Sequence, residues 1–181
     1  LVTLAPELPG AGAVIERLLR REVAVSAGHS DASAEQANEA FDLGVRSVTH
    51  LFNAMRPFHH RDPGIVGAAL ARPDVVVQVI LDWVHIAPVT AAMVWQAAPA
   101  RMALVTDAVA GAGVADGDYR LGELDVEIRD GVARGVDGAL AGSTLTMIEA
   151  VRNLHSLGVP LEDAVGAATE VPAHVLRLPS A

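Results

Sequence analysis

Four places in the 181-residue chain put a residue able to hold a metal ion or move a proton at the close of a short apolar run. They are His29, His50, Asp82 with His85 three residues on, and Asp107; the first apolar run is followed by Glu7. Neutral imidazole is a common ligand for zinc and similar borderline metals. A lone histidine in such a place is commonly a hydrogen-bonded core residue, but two of them with an aspartate in matched positions point to a divalent metal site. Asp107 follows Leu-Val-Thr and could cap a following helix. It could equally take and return a proton beside a bound cation. The residues after it, Ala-Val-Ala-Gly-Ala, read as a loop, which favours the acid–base role.

Two further segments suit an anion. Asn53-Ala54-Met55 offers an amide side chain and backbone N–H groups three residues after His50. Arg61, in His-Arg-Asp-Pro-Gly, can pair with a phosphate or form a salt bridge to Asp62 or Glu7. Gly142-Ser143-Thr144 precedes a helical stretch, where an N-cap is the simpler reading and a polar ligand the other. His155 and His174 read as helix-surface residues, and His59 and His60 as loop residues.

These residues need a frame that sets the run ends side by side. The apolar runs, residues 2–5, 23–27, 46–49, 75–81 and 102–106, alternate with Ala-rich helical stretches at 12–21, from Asp31 or Ser33 to Leu43, and at 88–98. Gly44 has the position of a helix-ending glycine. This rhythm predicts an α/β fold with a parallel sheet, in which functional residues gather at the carboxyl ends of strands. Residues 51–74, with Pro57, His59, His60, Pro63 and Gly64, read as a long loop. Residues 119–134 alternate as an antiparallel hairpin turning at Asp130-Gly131, and two helices, 145–157 and 161–168, close the chain.

Composition narrows the class. Hydrophobic residues make up 51% and charged residues 19%, a globular balance; aromatics are only 3%, so the core is expected to be Ala, Val, Leu and Ile. The net charge of −9 argues against generic nucleic-acid binding, which needs clustered Lys and Arg. One local Arg or His still suffices for a small anion. The chain has no cysteine, so thiolate metal sites and disulfides are excluded. No run of about 20 apolar residues predicts a membrane span. There is no basic leader or signal-peptide pattern, and a cytoplasmic location is expected. The length is short of the roughly 250 residues of a complete (β/α)₈ barrel, and the abrupt start inside a strand leads us to expect a fragment.

The segments Thr-Leu-Ala-Pro-Glu (3–7), Ala-Gly-His-Ser (27–30), Thr-His-Leu-Phe-Asn-Ala-Met (49–55), Arg-Asp-Pro-Gly (61–64), Leu-Val-Thr-Asp-Ala (104–108) and Ala-Gly-Ser-Thr-Leu-Thr-Met (141–147) occur in that order. Together they resemble the N-acetylglucosamine-6-phosphate deacetylases of the amidohydrolase superfamily, along essentially the whole chain; the 49–55 block is the most specific. The resemblance implies part of a (β/α)₈ barrel, about its last five strands, with the β hairpin as an excursion after the last. It implies a divalent metal (Zn, Fe, Mn or Co) held by His29, His50 and a glutamate, with Asp107 as catalytic acid and base. It implies that Asn53, the backbone of Ala54 and His85 contact a phosphorylated amino sugar. Arg61 would reach the phosphate of a neighbouring subunit's substrate in a homodimer, and Leu145 to Met147 would lie by the acetyl group.

Two departures stand out. The family's metal-binding glutamate sits in a His-Leu-Glu-Gly-Pro segment that this sequence lacks; Glu7 follows what would be the fourth barrel strand and is not its equivalent. Residues 1–181 are therefore expected to form one incomplete barrel domain, without the N-terminal strands and a flanking β-sandwich. Secondly, Asp82-Trp83-Val84-His85 stands where the family has Asp-Gly-x-His. The activity implied is hydrolysis of the N-acetyl amide of N-acetylglucosamine 6-phosphate to glucosamine 6-phosphate and acetate. The alternatives are another amidohydrolase and a non-catalytic barrel fragment lacking the third metal ligand.

Overall fold

The computed structural model describes residues 1–122 and 124–178. Five strands, β1 (Val2–Leu4), β2 (Val25–Ala27), β3 (Ser47–Val48), β4 (Val76–Ile80) and β5 (Met102–Val105), form one parallel sheet in sequence order. Four helices connect or follow them: α1 (Ala11–Leu19), α2 (Ala34–Leu43), α3 (Gly64–Ala71) and α4 (Pro88–Ala97). Ser33, not Asp31, caps α2 in a capping box with Gln36, and Gly44 ends that helix at φ 116°.

The alternation of side chains gives the sheet two unlike faces. Ala27, Val48, Val77 and Val79 are at most 1% exposed and join Phe41, Ile65 and Val94 of the helices in one core. Ser26, Ser47 and Gln78 share the other face with Thr3 and Thr49. There Ser26 Oγ lies 2.7 Å from Thr49 Oγ1, and Gln78 Nε2 donates to Ser47 Oγ at 2.8 Å. Buried hydroxyls therefore have partners, as burial requires.

Where a long loop was expected across 51–74, its second half holds the helix α3. The segment Gly-Ile-Val-Gly-Ala-Ala-Leu-Ala is apolar all round, so no amphipathic stripe announces it. Ile65, Val66, Ala68 and Ala69 are all buried. The expected hairpin is a three-stranded antiparallel meander: β6 (Gly117–Leu121), β7 (Leu124–Arg129) and β8 (Val132–Gly135), with Asp130-Gly131 turning between β7 and β8. Val126, Ile128 and Ala133 form with Val109 a small separate core. Among the described residues three helices, not two, follow: α5 (Met147–Ser156), α6 (Leu161–Gly166) and α7 (Glu170–Val175). Pro172 lies in the first turn of α7, where its missing N–H costs nothing. Among the described residues no helix is long and apolar enough to cross a membrane.

Candidate active site

The parallel sheet delivers His29, His50, Asp82 and Asp107 to one rim, the carboxyl ends of β2 to β5. His29 Nε2 and His50 Nε2 stand 2.8 Å apart, with the rings edge to face at 71°. The strand ends turn sharply to achieve this: φ is 50° at His29 and 31° at His50. Gly28 permits the approach, since a Cβ there would meet Thr49 Cβ at 2.9 Å and Thr3 Cγ2 at 3.1 Å.

His50 is 6% exposed, and its Nδ1 is buried without a hydrogen-bond partner. Burial pushes its imidazole below the ordinary value, and the nearby His29 ring adds to that. Backbone hydrogen bonding and the charge of Asp107 pull the other way without reversing it. The ring is thus neutral, the form that offers a lone pair to a cation. Two imidazoles with converging nitrogens fit two ligands of one divalent ion. Among the described residues no group of three or more His, Asp or Glu side chains is placed to hold an ion together.

Asp107 is also left-handed, at φ 50°. No helix begins after it, so it caps none. Its turn is clamped by Ser143. The Ser143 N–H donates to Asp107 O at 2.8 Å, Val109 N donates to Ser143 O at 2.9 Å, and Ser143 Oγ donates to Thr106 O. A Cβ on Gly142 would meet Asp107 O at 2.7 Å, so the strands' closing loop needs glycine there. Ser143 is accordingly part of the Asp107 support and not a helix cap. Thr146 caps α5, in a box with Glu149.

His85 Nδ1 donates to Asp82 Oδ2 at 2.6 Å, and Asp82 Oδ1 accepts from the Val84 and His85 N–H groups, both at 2.8 Å. Burial would raise the Asp82 carboxyl, but these bonds overcome it and hold the group below the usual carboxylate range. A carboxylate on Nδ1 fixes the His85 tautomer and leaves Nε2 as the free ring nitrogen. Trp83 between them has φ 66° and packs on the main core. Leu145 is 6% exposed, and Met147 opens α5. A cavity of about 260 Å³ is lined by Asp82, Thr144, Leu145 and the Asp130-Gly131 turn. The turn's presence beside Leu145 was not foreseeable from its sequence distance.

Asn53 Nδ2 donates to His50 O and Leu51 O, both at 3.3 Å, and Ala54 is left-handed at φ 49°. Arg61 pairs with neither Asp62 nor Glu7. Its guanidinium lies 2.9 Å from His60 Nε2, while Asp62 pairs with Arg56. Arg61 lies on an exposed turn closed by reciprocal bonds between His59 and Asp62. Glu7 accepts from Ser30 Oγ and from the Asp31 N–H, each at 2.7 Å. This role of Glu7 was missed; only its place after a strand hinted at it. His155 and His174 lie on α5 and α7, away from these strand ends.

Comparison with known proteins adds family to geometry. A model of the amidohydrolase family matches residues 11–181. The chain is similar to an N-acetylglucosamine-6-phosphate deacetylase of Vibrio furnissii, 43% identical over 178 residues, covering 98% of this chain and 45% of that protein. It is similar to an N-acetylgalactosamine-6-phosphate deacetylase of Escherichia coli O157:H7, at 40% identity over 97% of this chain and 47% of that one. Among solved structures, a substituted N-acetyl-D-glucosamine-6-phosphate deacetylase of Mycobacterium smegmatis, in complex with N-acetyl-D-glucosamine-6-phosphate, superposes with TM-score 0.92 at 41% identity. That match covers 99% of this chain and 49% of the other. The chain spans about half the length of the curated relatives it matches.

Proposed function

The chain belongs to the amidohydrolase family, and from that premise we propose that it carries the metal-binding and acid–base side of a deacetylase acting on N-acetylglucosamine 6-phosphate. The products are glucosamine 6-phosphate and acetate. The five-stranded sheet is, in this reading, an arc of a (β/α)₈ barrel, and residues 1–181 are one incomplete barrel domain; the greater length of the relatives supports this. The meander is an excursion after the last barrel strand. The intact protein is cytoplasmic and a homodimer.

His29 and His50 would hold a divalent ion (Zn, Fe, Mn or Co) together with a carboxylate from outside this sequence. Such an ion, when bound, supplies a Lewis acid that polarises the acetyl carbonyl and makes water acidic. Asp107 takes a proton from the attacking water as its oxygen bonds to the carbonyl carbon. It then returns that proton to the sugar nitrogen as the C–N bond breaks, so the amine leaves neutral together with acetic acid, which becomes acetate by giving its proton to the amine or to water. Asn53 and the Ala54 backbone hold the phosphate, and His85 Nε2 meets the sugar. Arg61 reaches the phosphate bound in the partner subunit. Leu145 and Met147 lie against the acetyl methyl.

The observation that carries this reading is the convergence of two histidine nitrogens at 2.8 Å on the rim that also holds Asp107. The test is turnover by the purified full-length protein, with its metal content measured. Acetate release from N-acetylglucosamine 6-phosphate well above that from N-acetylglucosamine is expected, with about one divalent ion per chain. Equal rates with and without phosphate would overturn the phosphate assignment. Faster release from N-acetylgalactosamine 6-phosphate would assign the other sugar epimer, which the Escherichia coli relative's name makes the competing reading.

A further inference from the structure

The unassigned feature with the most connections is the carboxylate of Glu7, on the turn after β1. It is half-buried and reaches across to the loop after β2, where both oxygens are used. Oε2 accepts from Ser30 Oγ and Oε1 accepts from the Asp31 N–H, each at 2.7 Å. Ser30, 3% exposed, is the hub. Its N–H donates to Ala54 O at 3.0 Å, its carbonyl accepts from Arg56 N at 3.0 Å, and it bridges Met55 in parallel register. Its hydroxyl also accepts from Ala32 N at 3.1 Å. Asp31 is drawn to Arg56 by two side-chain bonds of 3.2 and 3.4 Å.

Two left-handed residues are thus tied through residue 30. On one side is His29, bonded to it in the chain, at φ 50°. On the other is Ala54, whose carbonyl the Ser30 N–H holds, at φ 49°. Neither conformation is one that a non-glycine residue keeps without support.

We propose that Glu7 is a positioning residue that sets the His29 loop and the Asn53-Ala54 turn relative to each other, so that cation binding and phosphate binding depend on one carboxylate. The inference rests on the roles given to those two segments under Proposed function. A group that merely stabilised the fold would change the folded fraction and leave the affinities of the folded protein alone. A positioning group displaces both segments at once, because the side chain that bridges the turn after β1 to Ser30 serves both. Outer partners of metal ligands commonly weigh about 10- to 100-fold in affinity.

The test measures two affinities in the folded full-length protein without turnover: zinc by competition with a chelator, and inorganic phosphate by calorimetry. Glu7→Ala is expected to weaken both by about 10-fold or more. Glu7→Gln should remain within about 3-fold of the parent for both. Its amide oxygen can still accept from Asp31 N–H, and the Ser30 hydroxyl can rotate to accept from the amide nitrogen. If Glu7→Ala fails to fold, Glu7→Asp decides: one methylene shorter, it cannot hold both donors, and both affinities must fall. Unchanged affinities beside a lowered Tm overturn the proposal, as does a change in zinc affinity alone or phosphate affinity alone. A parent protein that binds neither zinc nor phosphate defeats the functional reading itself; a parent that binds both, with indifferent variants, defeats only the role of Glu7.

Discussion

At the carboxyl ends of β2 to β5 the backbone is bent at His29, His50, Phe52, Ala54, Trp83 and Asp107, with φ between 31° and 75°. One buried nitrogen there, His50 Nδ1, has no partner among the described residues. At the opposite rim arginines hold helix-end carbonyls and carboxylates. Arg46 donates to Phe41 O, in the last turn of α2, at 2.7 Å, and Arg101 donates to Ala69 O, Leu70 O and Val75 O around the end of α3. Arg72 holds Asp74 with two bonds, of 2.9 and 3.1 Å, and Asp42 at 2.7 Å. Cationic groups at helix C-termini satisfy orphan carbonyls and oppose the helix dipole. One rim therefore gathers six left-handed non-glycine residues and a buried nitrogen with no partner among the described residues, whereas the other, which carries the left-handed Glu22, gives arginine donors to its helix-end carbonyls. In parallel βα architectures that contrast separates the functional face from the stabilising face.

The largest effect should come from Asp107→Asn, which tests the functional rim. Asparagine is nearly isosteric but cannot take up and return a proton. In the full-length protein kcat should fall about 10²–10⁴-fold, with Tm and metal content held. Retained turnover would remove Asp107 from the chemistry and break the comparison at its most important point.

Arg101→Met tests the other rim. It strips donors from buried carbonyls at the end of α3, and each orphan costs on the order of 1–3 kcal/mol. We expect about 2–3 kcal/mol of lost stability in a denaturant titration, with kcat in the folded protein unchanged. A loss of kcat at full occupancy of the folded state would mean that the rims are not separable.

Asp82 sharpens the division, because it is a carboxylate on the functional rim that also stabilises. Its folded pKa lies below the usual value, held there by His85 and two N–H groups against the cost of burial. The unfolded chain therefore binds the proton first as the solution is acidified. The contribution is present above the ordinary carboxyl pKa, about 4, and is lost as pH falls from there through the folded pKa. Asp82→Asn should make the protein less stable at pH 7 by about 1–2 kcal/mol, the scale of a hydrogen bond to a charged group. It should also flatten the acid limb of a Tm–pH curve. An unaltered acid limb would show that Asp82 contributes nothing through its charge.

Much of this was legible before any coordinates. The βα rhythm gives five parallel strands in order, and the polar residues closing each run fall on the rim of the candidate site. The reason is physical: an apolar run long enough to be a strand ends where its side chains stop needing burial, and His29, His50, Asp82 and Asp107 are placed there. What stayed hidden depends on distant contacts. Glu7 and Ser143 act on residues 23 or more positions away, which the strand before Glu7 and the helical stretch after Ser143 do not reveal. The helix α3 hides because it is apolar on all sides and so lacks amphipathic period. The meander shows only half its turns to sequence, since Asp130-Gly131 is a strong hairpin signal and Gly122 alone is a weak one.

The smallest effect concerns Trp83 and asks whether the bend on the functional rim is strained. A tryptophan at φ 66° pays for the clash of its Cβ with the backbone, roughly 1–2 kcal/mol for an L residue in that region. Replacing it by glycine removes the clash but also loses the indole packed on the core, so that single change mixes two terms. Trp83→Ala loses the same ring but keeps the Cβ, and the pair separates them. Elsewhere in a folded chain alanine is the more stabilising of the two, by about 0.5–1 kcal/mol in a helix or strand, because glycine gives up more backbone entropy. At a left-handed position the order should invert, with Trp83→Gly more stable than Trp83→Ala by about 1 kcal/mol. Chemical denaturation of the two variants in the same buffer resolves a difference of that size. The ordinary order, alanine above glycine, would mean that position 83 carries no strain and that the rim's bent backbone is not the general feature the comparison takes it to be.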